Sequence, residues 1–171
     1  MTPLPEAGVQ ALARLLLADE AGGAGVSADA AERAFEKLRL HLSKVLGPEG
    51  FRVLVRRAVT LAQAEFPWLR IVEVRSDGSL TGLSAAAAAA RTDGSVAEAD
   101  GGIVATLAHF LGLLEAFLGP DLTRRLVHSV WPEADALPPA AGRDPLGTSS
   151  TGSDKNEMHF RPDETMGRGT R

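Results

Sequence analysis

The sequence predicts a mostly α-helical bundle made of two antiparallel helical hairpins with a further helix at the N-terminal end. Three observations carry this. Apolar residues recur at helical spacing up to Trp131, and only one short stretch has the alternation of a strand. Two passages, residues 31–59 and 103–131, also align without gaps around Leu46-Gly47-Pro48-Glu49 and Leu118-Gly119-Pro120-Asp121. Past these pivots Arg52 matches Arg124, Leu54 matches Leu126 and Val55 matches Val127. Glycine suits the left-handed position just past a helix end, and proline suits the first turn of the next helix, where its missing N–H removes no bond. The acid that follows complements the helix dipole. An internal duplication and two unrelated hairpins sharing the same punctuation both account for the match.

The first helix is expected from Pro5 to about Glu20, with Val9, Leu12 and Leu16 near helical spacing, and Ala21-Gly22-Gly23-Ala24-Gly25 breaks it. Asp29 and Glu32 have the spacing of a capping box at the start of the second helix. In that helix Ala31, Ala34, Phe35, Leu38, Leu42 and Val45 share a face opposite Glu32, Arg33, Glu36, Lys37 and Lys44. Phe51, Leu54, Val55, Ala58 and Ala62 make the inner face of the third helix, which Pro67 ends.

Residues 70–75 alternate β-branched side chains with charges, Ser76-Asp77-Gly78-Ser79 is a turn signal, and 80–83 supply a returning strand. A small β-hairpin over 70–83 and an irregular loop containing a turn both fit. A hairpin would have to lie on the helices, since two strands alone are marginal in water. The alanine run at 85–90 favours helix but has no side chains to anchor it strongly, and with Asp93-Gly94 and Asp100-Gly101-Gly102 it reads as a flexible insertion over about 84–101.

The next helix, 102–118, is apolar nearly all round, with Thr106, His109 and Glu115 as its polar side chains. About 17 apolar residues is the lower limit for a membrane span. Glu115, the glycines at both ends and flanks without basic or aromatic anchors favour the central strut of a bundle, or a helix shared across a homodimer. The last helix runs from about Asp121 to Trp131. The expected organisation is one domain over 1–133 and a disordered tail over 134–171, in which Met158-His159-Phe160 is a small apolar island.

Composition narrows the function. The chain has no cysteine, which removes disulfides, thiolate catalysis, iron–sulfur clusters and zinc ribbons. A net charge of -4 and a pI near 5.6 argue against broad nucleic-acid binding. No phosphate loop, dinucleotide fingerprint or Gly-x-Ser-x-Gly elbow occurs, and His41, His109, His128 and His159 lack metal-binding spacing. No catalytic set, metal or cofactor is therefore expected. His109 and Glu115 lie about 240° apart around their helix and do not face each other. His109 reads as a buried histidine with one hydrogen-bond partner.

The expected function is a non-enzymatic protein–protein interaction module, a scaffold, adaptor or regulatory subunit of a bacterial cytoplasm that forms a homo-oligomer, most simply a dimer. It is not expected to bind nucleic acid or membrane. Arg52 and Arg56, with Arg57 beside them, and Arg124 and Arg125 form its candidate patch if the hairpins pack side by side, and Thr60 shares the outer side of the helix with Arg52 and Arg56. The alternative is a small-molecule sensor with a pocket among Phe35, His109, Phe110 and Phe117. An enzyme of an unfamiliar helical family would need polar groups converging in the folded core. Leu114→Asp places an unpaired charge in the apolar helix. Circular dichroism and size-exclusion chromatography should show an unfolded or dissociated protein, and an unchanged one would mean that the central helix has been misplaced.

Overall fold

The computed structural model describes residues 6–92 and 95–132. They form five α-helices, α1 (Ala7–Glu20), α2 (Ala28–Glu65), α3 (Leu83–Thr92), α4 (Val96–Leu118) and α5 (Pro120–Val130), with a 3-10 turn at Pro67–Ile71 and two short strands, β1 (Glu73–Val74) and β2 (Leu80–Thr81). This is the expected mostly helical bundle. The 134–171 tail and its Met158 island lie outside the described residues.

Both Leu-Gly-Pro pivots take the same backbone turn. Gly47 has φ 75° and ψ 158°, and Gly119 has φ 86° and ψ 157°. The sequence suggests the compact left-handed region, whereas these ψ values fall in an extended positive-φ region that glycine alone occupies readily. Helix α2 is thus two limbs bent at Gly47. Phe35 on one limb and Phe51 on the other each meet Phe110 edge-on, with centroids at 5.7 and 5.5 Å, so these rings lie within about 11 Å of each other; a straight helix would separate positions 35 and 51 by about 24 Å.

The matched passages also share burial. Leu38 and Phe110, Leu42 and Leu114, Val55 and Val127, and Ala58 and Val130 are all buried, whereas Val45 and Phe117 both face solvent. Each pivot is followed by an ion pair at the same offset, Glu49 with Arg52 and Asp121 with Arg124.

Helix α4 is the central element. Every residue from 102 to 111 is buried, and α1, α2, α3 and α5 all pack on it. Its length and a mean hydropathy of 1.7 over its most apolar window would suit a membrane span, yet 61% of that window is buried against the rest of the chain. Thr106 Oγ1 donates to Gly102 O at 2.8 Å, so the hydroxyl is satisfied within the helix.

The alanine run is helical, as its composition favours, but the segment expected as a flexible insertion over 84–101 belongs to α3 and the start of α4 and packs on the core. Ala86, Ala87 and Ala99 are buried at 1, 1 and 0% exposure. Alanine is favoured here because it lets helices approach closely without losing helix propensity. Ser95 caps α4 by accepting from Glu98 N at 3.0 Å, and Arg91 at the end of α3 donates to Asp100 Oδ1 at 2.8 Å. The cap of α2 lies two residues earlier than expected. Ser27 accepts from Ala30 N at 3.1 Å, while Asp29 and Glu32 reach out to Ser84 Oγ (2.8 Å) and Ser84 N (3.2 Å), capping α3 instead.

Gly101-Gly102 does not interrupt α4 but seats two aromatic rings. A Cβ on Gly102 would stand 2.5 Å from Trp68 Cζ2, and one on Gly101 would stand 3.3 Å from Phe66 Cε1. The following chain forms the hairpin, antiparallel with Glu73 opposite Thr81 and Val74 opposite Leu80. It is shorter than the 70–83 expectation because Arg70 and Ile71 belong to the 3-10 turn. Asp77 Oδ1 accepts from Ser79 N (3.0 Å) and Ser79 Oγ (2.7 Å), and Gly78 at φ 84° rests on the Phe51 ring.

These contacts set opposite expectations for two glycines of one helix. Ala at Gly102 gains up to about 1 kcal/mol of helix propensity but meets Trp68, an overpacking cost of about 1–3 kcal/mol. At Gly112 nothing lies within 4 Å of the added Cβ. Urea unfolding should therefore show Gly102→Ala destabilised and Gly112→Ala stabilised. Equal effects would contradict the ring seat.

Candidate functional site

Three groups of polar side chains stand out, and two are consumed by the fold. The first surrounds Glu20, whose side chain is only 4% exposed. Its carboxylate accepts from Trp131 Nε1 at 2.7 Å and from Lys37 Nζ, and Arg33 Nη2 donates to its backbone carbonyl at 2.8 Å. Lys37 Nζ also lies 5.9 Å from the centre of the Trp131 ring. Asp19-Glu20 reads from sequence as solvated charge, but Glu20 joins the end of α1 to α2 and to the residue that ends α5. Its Oε1 is shared between Trp131 and Lys37, so this carboxylate ties α1, α2 and the end of α5 together.

The second group is His109 and Glu65. His109 is 4% exposed, and its Nε2 lies 2.7 Å from Glu65 Oε1, at the last residue of α2. This matches the expected buried histidine with one partner. Glu115 is not its neighbour. Burial, the negative charge of Glu6 and a smaller opposing effect of Arg124 leave the Glu115 carboxyl above the ordinary 4.5. His109, Glu115 and an arginine therefore do not converge on one polar centre.

The third group is exposed. Arg52, Val53, Arg56, Arg57 and Thr60, all on the second limb of α2, line an open depression of about 290 Å³. Their spacing of three and four residues puts them on one helix face, about 12 Å long. The opposite face, with Val55, Ala58, Val59 and Ala62, is buried, which turns the arginines outward. Arg52 is shared with Glu49 through Nε (3.2 Å) and Nη2. Among the described residues Arg56 and Arg57 have no ion pair. Val53 is 60% exposed between them, and Thr60 Oγ1 donates to Arg56 O at 2.9 Å.

Of the four arginines expected in one patch, Arg52 and Arg56 line this depression, and Arg124 and Arg125 stand on α5 without lining it. Arg57 and Thr60, which the sequence also sets on the outer side of this helix, line it as well, and Val53 is the lining residue that the sequence did not mark, although its offsets from Arg56 and Arg57 are those of one face. Of the expected pocket residues, Phe35 and Phe110 pack against each other in the core, His109 turns to Glu65, and Phe117 is 70% exposed. The four do not enclose a common cavity. Among the described residues no cluster of three or more His, Cys, Asp or Glu side chains has metal-binding geometry.

No protein-family model, no curated protein and no solved structure matches the chain.

The raised Glu115 pKa has a signed consequence. A carboxyl more easily protonated when folded than when unfolded makes stability fall as pH rises from the unfolded pKa through the folded one. Glu115→Gln should thus raise the melting temperature slightly at pH 7, with the difference vanishing as pH falls below the ordinary 4.5. A gain that persisted unchanged in acid would contradict the burial of this carboxyl.

Proposed function

We propose that the protein is a protein–protein interaction module of a bacterial cytoplasm, a scaffold, adaptor or regulatory subunit, and that the outer face of the second limb of α2 is its contact surface. The observation that carries this reading is the depression in which Arg56 and Arg57, unpaired among the described residues, flank the exposed Val53. Free guanidinium groups beside an apolar side chain combine orientation with a small desolvation gain, the combination that protein contacts use. Glu20 and His109 are already committed to partners inside the fold, whereas Arg56 and Arg57 face outward beside an exposed valine. The sensor alternative loses support because Phe117 is exposed while Phe35 and Phe110 fill the core.

Native affinity purification of the tagged full chain from its own host tests this with two charge reversals. Arg56 and Arg57 are exposed, so Arg56→Glu with Arg57→Glu should leave the far-ultraviolet circular dichroism and melting temperature unchanged while removing a stoichiometric partner. Arg124→Glu with Arg125→Glu should retain that partner. Recovery of the same proteins with all three forms, or of the chain alone, would overturn the reading.

A further inference from the structure

We infer that the occupant of the depression is an acidic helical segment of a partner protein, which meets Arg52, Arg56 and Arg57 with carboxylates and covers Val53 with an apolar side chain. This rests on the interaction reading above and specifies the chemistry of the partner. The first argument is charge. Three guanidinium groups lie on one face, and the carboxylate seated among them is Glu49, on Arg52 at one end. Glu49 thereby displays within the chain the contact that a partner carboxylate would make to Arg56 or Arg57. Guanidinium forks favour carboxylates geometrically as well as electrostatically.

The second argument is shape. The face is a stretch of helix about 12 Å long, with side chains repeating at three- and four-residue intervals. A partner helix carrying carboxylates at i and i+4 reproduces that spacing and presents an apolar residue between them. Val53, 60% exposed at the centre of the charges, is what such a residue would cover.

The third argument concerns range. The whole chain carries a net charge of -4, which repels a long polyanion such as nucleic acid. A short acidic helix feels mainly the charges within a screening length of about 8 Å, and on this face three arginines outnumber the Glu49 carboxylate. The face also lacks the aromatic side chains on which bases stack. An isolated peptide makes only this part of the partner's contact and binds with a dissociation constant of roughly tens to hundreds of micromolar, whereas the whole partner adds further surface.

The test uses the full chain labelled with nitrogen-15 and defined probes. The first probe is a blocked alanine-based helical peptide bearing Glu at i and i+4 around a single Leu. Its Gln counterpart, its Lys counterpart and a duplex oligonucleotide serve as comparisons. The Glu peptide should shift the amides of residues 52–60, more weakly at high salt. The Gln peptide should bind at least about tenfold more weakly. Arg56→Glu with Arg57→Glu should lose the Glu peptide and gain the Lys peptide, a swap that damage to the fold would not produce. No shifts with the Glu peptide, shifts centred elsewhere, equal binding of the Gln peptide, or tighter binding of the oligonucleotide at the same amides would overturn the inference. If the affinity experiment still yields a partner dependent on Arg56 and Arg57, the interaction reading stands and only the acidic helix is discarded.

Discussion

The complete burial of α4 from 102 to 111 is the constraint on which the other elements depend. A helix without a solvent face must be covered on every side, and each large apolar side chain moved out of water contributes about 1.5–3 kcal/mol toward that arrangement. Ile103, Leu107, Phe110 and Leu111, all at 0% exposure, supply that drive. The same burial makes any unsatisfied polar group on the helix costly. Thr106 returns its hydroxyl to its own helix, and His109 draws Glu65 to its ring from the last turn of α2. Glu65 immediately precedes the segment that lays Phe66 and Trp68 on Gly101 and Gly102. The polar contact and the aromatic seat therefore tie the same stretch of chain to the same helix.

The two glycine corners solve the covering problem in the same way. A backbone turn restricted to glycine, followed by proline in the first helical turn and an acid–arginine pair, redirects a helix without a long loop. Each corner sends a short amphipathic helix back onto the core with matching inward positions, Val55 and Val127 among them. The outward positions are where the limbs differ. The α2 limb presents Val53, Arg56 and Arg57 where α5 has Arg125, His128 and Ser129. A shared inner face with a divergent outer face is expected when packing constrains the first and only solvent constrains the second.

Much of the fold was legible from apolar periodicity and punctuation, because those record directly which side of a helix is buried. The pivots, the central helix and the hairpin at Asp77-Gly78 all rest on such signals. The region around α3 was not, since alanine and glycine carry too little apolar surface to mark a buried face and owe their burial to what packs on them. Ser95-Val96-Ala97-Glu98 did hold a helix-start signal, Ser followed by Glu three residues later, among residues that otherwise resemble a loop. Glu20 was misread for a related reason. Its burial depends on Trp131, 111 residues away, and local sequence gives no sign of that contact. In the candidate site, Arg52 and Arg56 were identifiable because they share a helix face, whereas their relation to Arg124 and Arg125 depends on how two separate helices pack.

Hydrogen–deuterium exchange of the full chain, resolved along the sequence by mass spectrometry, tests the central role of α4 most directly. Amides in a helix enclosed on all sides should exchange only when the whole domain unfolds, so 103–111 should be the slowest segment, with an opening free energy equal to that from urea unfolding. Exchange of 103–111 as fast as that of α1 or α3, well below the global value, would contradict the account and show that the other helices do not depend on α4 for their place.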